Sequence, residues 1–241
     1  MSEIRIHTIV TCQIESALKV GGRSRYLFVL FTILFLSISF NSCDSENAAD
    51  CFQDTGEIIR NEVEVLEFEK ITVFENVTLV IKQGDTQKVE IETGENLRVE
   101  VDAVVEDGRL LLTDTNDCNY VRAYGTTIVY VTTPNLTEIR SSTGFPIRSD
   151  GVLSFDRLNL LSESFSNPEA ETTDGEFNLD LDITSLSITV NGIAYFNLRG
   201  NVENLNINIA AGDSRIEAEE LVAQNVNINH RGSNDVLINP Q

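Results

Sequence analysis

From Glu57 onward apolar and polar residues alternate with a period of two: Val63 and Val65; Ile71 and Val73; Val77, Leu79 and Ile81; Val89 and Ile91; Val99 and Val101; Leu110 and Leu112; Val129 and Val131. Successive side chains of a strand point to opposite faces, so this alternation predicts strands with one buried side. Turn signals separate the runs, among them Gln83-Gly84-Asp85 and Glu106-Asp107-Gly108-Arg109. The second reads as a hairpin in which glycine supplies a positive φ. No stretch sustains a helical period, so the chain is expected to be all-β.

The last third adds a longer period. Gly192, Gly212 and Gly232 stand 20 residues apart. Each follows an alternating run: Leu186, Ile188 and Val190; Leu205, Ile207 and Ile209; Val226 and Ile228. Each precedes a second run: Ala194, Phe196 and Leu198; Ile216 and Ala218; Val236 and Ile238. Self-similarity at a fixed period marks a repeat architecture. Two strands and two corners per repeat match one turn of a solenoid, whose rungs bury apolar side chains against their neighbours. Glycine is expected at the corner because it adopts positive φ without steric cost. Weaker copies appear earlier, at Leu158 and Leu160 and at Phe177, Leu179 and Leu181, separated by a polar insertion from Ser164 to Gly175, with an earlier corner between Ile139 and Ile147.

These observations predict a single-domain parallel β-helix, or β-solenoid, with rungs of about 20 residues. Two alternatives compete. Ile183, Leu186, Ile188, Asn191 and Ile193 fit leucine-rich-repeat spacing. That architecture usually places helix between its strands, whereas residues 192–204 alternate like strand, and Ala210 stands where the next repeat would need asparagine. An immunoglobulin-like sandwich has no reason to make its strands copy one another.

At the N-terminus Arg23 and Arg25 precede an apolar run from Tyr26 to Phe40, followed by Asn41, Ser42 and Cys43. The run is shorter than the ~20 residues that span a bilayer, and the order of charge, apolar core and small residue reads as a signal peptide. A cysteine directly after it resembles a bacterial lipoprotein signal, although Phe40 stands where leucine is usual. Cys43 would then become the first residue and carry acyl chains, each buried CH₂ contributing about 0.8 kcal/mol to anchoring. The alternative is an ordinary secreted protein with an incidental cysteine. The expected division is a signal peptide over 1–42, an acidic tether over 43–56 and a β domain over 57–241.

Seventeen Lys and Arg face 38 Asp and Glu, a formal net charge of −21. Such a chain repels phosphate backbones, which excludes nucleic acid as a partner. The plain reading of the charge is solubility; the sharper one is affinity for cations or basic partners. With Cys43 lipidated, Cys51 and Cys118 remain, and in an oxidising compartment a Cys51–Cys118 disulfide is expected. Closing so long a loop contributes up to ~4 kcal/mol in the chain-entropy model. The alternative is two free buried thiols.

Residues for catalysis do not assemble. His230 is the sole histidine outside the leader, precedes a corner glycine and has no Gly-x-Ser-x-Gly elbow to serve. A zinc site would need cysteines that lie far off in sequence. Asp174, Asp180 and Asp182 could face a calcium ion, but no calcium-loop pattern supports them and a solvated face is the plainer reading. No glycine-rich phosphate cradle occurs. Abundant carboxylates leave room for a polysaccharide lyase or glycosidase, whose basic groove would draw on Arg140, Arg148, Arg157, Arg199, Arg215 and Arg231; the plainer reading pairs these with nearby acids. No catalytic, metal or cofactor residues are therefore assigned. Asn206, Asn208, Asn227 and Asn229 are expected to form exposed polar ladders on successive rungs, a surface suited to a glycan or an envelope protein.

Several segments carry a family resemblance: the rungs themselves, residues 118–122 (Cys-Asn-Tyr-Val-Arg), Pro134-Asn135-Leu136, Asp174-Gly175-Glu176-Phe177 and the segment from Arg231 to Asp235. Together they resemble the head GIN domain family of Bacteroidetes lipoproteins, described as auto-transporter adhesins. The resemblance runs from about Glu57 onward and implies a right-handed parallel β-helix-like fold, an envelope location and no function beyond the word adhesin. Taken with the rest of the sequence, the expectation is an outer-membrane lipoprotein serving as a non-catalytic binding, adhesion or structural module, with a polysaccharide-active enzyme or a periplasmic scaffold without ligand as the alternatives. It supplies no catalytic residues. Ser233-Asn234-Asp235 departs from the family's more frequent Ser-Gly-Asp at that corner.

Overall fold

Alternation becomes strand along most of the described residues because every second side chain finds the same interior. The computed structural model describes residues 52–74, 76–116, 118, 120, 122–123, 125–166 and 172–241. The chain divides into two units, Met1–Asp44 and Ser45–Gln241, and every described residue belongs to the second. The expected signal peptide over 1–42, the lipidation site Cys43 and Cys51 lie outside the described residues.

The strands in chain order are β1 (Ile58–Val63), β2 (Lys70–Val73), β3 (Val77–Gln83) and β4 (Lys88–Gly94), then, after a 3-10 turn at Arg98–Glu100, β5 (Val101–Glu106), β6 (Arg109–Asp114) and β7 (Thr127–Thr133). They continue with β8 (Glu138–Ser141), β9 (Pro146–Leu153), β10 (Arg157–Ser162), the long β11 (Glu176–Val190), β12 (Tyr195–Ile209) and β13 (Arg215–His230), and β14 (Val236–Pro240). All fourteen join one sheet.

β11 shows how that sheet turns back on itself. Its first half pairs with β9, Phe177 facing Ile147, and its second half pairs with β10, Leu186 facing Leu158. β12 and β13 follow it in parallel along both halves. The sheet therefore has two halves joined through bent strands, and it wraps around a single core.

The core is built of columns. In one half Val129, Leu79, Ile147, Phe177, Phe196 and Ile216 stand in successive register. In the other, Leu110, Ile71, Ile139, Leu160, Ile188 and Ile207 do the same. All twelve are buried, and burying such a side chain fully contributes about 1.5–3 kcal/mol. Leu186 faces Leu205 and Leu205 faces Val226, as in-register stacking requires.

The expectation of a uniform parallel β-helix is corrected in three respects. First, β1 with β4, β4 with β7 and β5 with β6 pair antiparallel. These hairpin-like pairings cover one end of the parallel stack, where an open edge would expose unpaired backbone groups. Second, sequence order is not spatial order: β6 and β7 pair with β2 and β3 on the side away from β8 and β9. Third, one of the two expected corners per repeat is a bend inside a continuous strand, so the repeat has one broken corner. Val99, expected in a strand, is exposed on the 3-10 turn instead.

The corner glycines also depart from expectation. Gly212 has a φ of +87°, but Gly192 and Gly232 are not left-handed. Close approach explains the column. A Cβ on Gly192 would lie 1.8 Å from the Thr173 carbonyl oxygen, and one on Gly212 would lie 2.1 Å from that of Gly192. The rungs meet there through the Asp213 N–H donating to the Gly192 carbonyl at 2.8 Å and the Ser233 N–H to that of Gly212 at 3.0 Å. The β5–β6 hairpin follows expectation, with φ of 48° at Asp107 and 72° at Gly108.

Candidate functional site

Outward positions of stacked strands repeat as inward ones do, and here they repeat asparagine. Asn204 faces Asn225, Asn206 faces Asn227 and Asn208 faces Asn229. In each pair the amide NH₂ of the β13 residue donates to the side-chain oxygen of its β12 partner, at 3.1, 3.4 and 2.8 Å. An amide carries both donor and acceptor, so identical residues can stack without a complementary partner. Ser185, Ser187 and Thr189 of β11 continue the three rows on the preceding rung. None of these nine positions is charged in a chain of net charge −21. The result is a neutral polar plane whose remaining amide hydrogens and lone pairs face solvent.

A second feature follows the bend between the two halves. Phe155, Asp156, Asp182, Ile183, Glu203 and Gln224 line a groove there, with Phe155 and Ile183 buried beneath it. Asp182 is the one member of the Asp174, Asp180 and Asp182 trio to enter the groove. No group of three or more His, Cys, Asp or Glu among the described residues is placed to hold a metal ion.

The six arginines do not converge on a basic groove. Arg157 meets Asp156 at 3.8 Å, Arg199 meets Glu220 at 3.2 Å and Arg215 meets Glu217 at 2.8 Å, all at the surface. Arg148 and Arg231 form no ion pair among the described residues. On the other half of the outer surface, the Tyr195 hydroxyl donates to the Glu217 carboxylate, which with Arg215 holds that carboxyl below its usual range. His230 is exposed: its Nδ1 accepts from the Gly232 N–H at 3.1 Å, so its Nε2 donates to the Asn234 carbonyl at 2.8 Å. It braces a corner.

Arg140 is different. It points outward from β8, yet it is buried under the segment after β10, with Nη1 2.8 Å from Glu163 Oε1 and 3.0 Å from the Glu163 carbonyl, and Nη2 3.2 Å from Ser166 Oγ. Burial pushes the Glu163 carboxyl up, but bonds from the Ser166 hydroxyl and N–H and from Arg140 outweigh it and hold the carboxyl below its ordinary value. Sequence reasoning named Arg140 and missed Glu163, because the fold-back that joins them has no periodic signal. Cys118 is not a free thiol, and its expected partner Cys51 lies outside the described residues.

Comparison with curated proteins gives no match. Among solved structures the chain is similar to one described as a putative adhesin from Bacteroides fragilis NCTC 9343, at 20% identity over 75% of this chain and 79% of that one, with a TM-score of 0.63. It is also similar to one described as a putative adhesin from Parabacteroides merdae ATCC 43184, at 19% identity over 74% and 80% of the two chains, TM-score 0.48. A third, described as a putative lipid binding protein from Parabacteroides distasonis ATCC 8503, matches at 16% identity over 71% and 77%, TM-score 0.49. The first similarity is one of fold. The family described as "Putative auto-transporter adhesin, head GIN domain" matches residues 67–241, which takes in every strand except β1, and the chain belongs to that family.

Proposed function

We propose that this protein is a non-catalytic binding module of the bacterial cell envelope, and that the asparagine plane on β11, β12 and β13 is its contact surface for hydroxyl-rich glycans. The observation that carries the reading is the ladder of three amide pairs, Asn204–Asn225, Asn206–Asn227 and Asn208–Asn229. A flat, neutral array of donors and acceptors at rung spacing can exchange hydrogen bonds with sugar hydroxyls, and it avoids desolvating a charge. Family membership supports an adhesin-like role in the envelope.

Three further assignments belong to this reading. Residues 1–42 act as a signal peptide, Cys43 carries the lipid that ties the protein to the outer membrane, and Cys51 bonds to Cys118. For the disulfide, the neighbours of both cysteines meet: the Phe52 and Tyr120 rings lie 5.7 Å apart, and an Arg122 guanidinium N–H donates to the Gln53 carbonyl at 3.3 Å. The in-register columns support classing the parallel part of the sheet as a β-solenoid.

The test is an array of glycans and whole cells probed with the lipid-free domain and with an Asn206→Lys/Asn227→Lys variant. Binding that drops at least tenfold in the folded variant is the expected result. A blank array, or binding indifferent to the two substitutions, overturns the assignment.

A further inference from the structure

Where the described chain begins, large apolar side chains stay in water. Phe52 is 53% exposed and Tyr120 is 77% exposed, and their rings touch at 5.7 Å. Val99, also 77% exposed, stands on the adjoining 3-10 turn. Hydrogen bonds knit these segments into one surface: the Gln53 side-chain amide donates to the Asn96 carbonyl at 2.8 Å, and that of Asn116 to the Leu97 carbonyl at 3.1 Å. Arg122 reaches the Gln53 carbonyl at 3.3 Å and the Asn116 carbonyl at 3.4 Å. The aromatic pair is therefore carried on hydrogen-bonded segments that also hold the 3-10 turn bearing the exposed Val99.

The tether fixes what this surface can meet. Phe52 stands nine positions after Cys43, and a fully extended chain covers at most about 3.6 Å per position, or roughly 32 Å. A lipid on Cys43 would hold the Phe52 end within about one bilayer thickness of the membrane surface. An aromatic pair with an apolar neighbour is the chemistry favoured at a lipid interface, where ring bodies enter the acyl boundary and the tyrosine hydroxyl stays wet. Several acyl chains on Cys43 would anchor the protein firmly by themselves, so what an apolar contact on the domain adds is orientation.

We propose that Phe52, Tyr120 and Val99 form a membrane-contact platform that seats this end of the domain on the bilayer carrying its own anchor, so that the asparagine plane is held in a fixed orientation to the membrane. The proposal rests on the lipidation of Cys43 assigned above. The occupant is the lipid surface itself.

The chain contains no tryptophan, so a single substitution supplies a unique fluorescent reporter. The experiment uses lipidated full-length protein reconstituted into phosphatidylethanolamine vesicles with brominated acyl chains, carrying Phe52→Trp, Tyr120→Trp or Ile193→Trp. Ile193 is an exposed apolar residue at a corner beyond the platform. Intact mass on the same samples reports acylation. Acylated protein whose emission is quenched at least twofold at positions 52 and 120, but not at 193, is the expected result. Acylated protein with no quenching, or with equal quenching at all three positions, overturns the platform while leaving the anchor standing. Protein without acyl mass overturns the anchor, and the platform with it.

Discussion

The rings of Phe177 and Phe196 lie 4.6 Å apart and within 2° of parallel, each fully buried and each at the same position of its rung. Stacking at that distance follows from the register: β11 and β12 run parallel and adjacent, so matching side chains meet at about the interstrand spacing of 4.8 Å. Truncating one ring removes its burial and its partner's contact together.

Phe196→Ala is expected to cost about 3–5 kcal/mol of stability, the range for losing a buried aromatic. Urea unfolding should show a lower midpoint with an unchanged slope. Phe196→Leu, which keeps most of the volume, should cost less than half as much.

Arg140 and Glu163 form a buried pair whose single disruption strands a charge. Glu163→Gln or Arg140→Met alone is expected to cost about 3–5 kcal/mol, and the Arg140→Met/Glu163→Leu double variant less than either, because removing both partners leaves no unpaired ion. The sign of the pH dependence follows from the depressed folded-state value of Glu163. Its contribution is complete above the ordinary carboxylate range near pH 4.5 and is lost as pH falls through the lower folded value. The stability gap between the parent and Glu163→Gln should therefore narrow on acidification, read from denaturation midpoints at several pH values.

The glycine column separates steric need from backbone need. Gly192→Ala would drive a methyl group into the Thr173 carbonyl, so loss of cooperative unfolding is expected. Gly108 has a positive φ, and a Cβ added there would meet nothing within 4 Å, so Gly108→Asn should cost about 1 kcal/mol or less. Thermal melts of the two variants check the contrast.

Strand content, repeat and asparagine ladder were all legible because each is local or periodic: Leu186, Leu205 and Val226 announce one another at a nearly constant spacing. The order of the first strands was not. Nothing in Leu110 or Val129 says that they pair with Ile71 and Leu79 on the side away from Ile139 and Ile147, since pairing order among similar alternating strands is decided by packing of the whole sheet. Val99 alternated with Val101 but lies on a turn, a case where period two over so few residues has no power to distinguish strand from loop. Glu163 gave no sign, because its partner is brought over it by an aperiodic segment.

The disulfide assignment predicts that unreduced protein contains no alkylatable thiol at Cys51 or Cys118 and yields a cross-linked peptide joining them. Cys118→Ser should lower stability by up to ~4 kcal/mol, most of it removed from the parent by reduction.

The fold and the proposed binding face both depend on rungs stacked in one register, and paired cysteines read that register directly. Cys residues introduced as Asn206→Cys and Asn227→Cys would face each other across adjacent parallel strands, at a Cα separation near 4.8 Å that suits a disulfide. Peptide mapping after mild oxidation should find that bond nearly complete and the offset pair Asn208→Cys with Asn225→Cys unbonded. An unbonded 206–227 pair alongside a bonded offset pair would contradict the stacking.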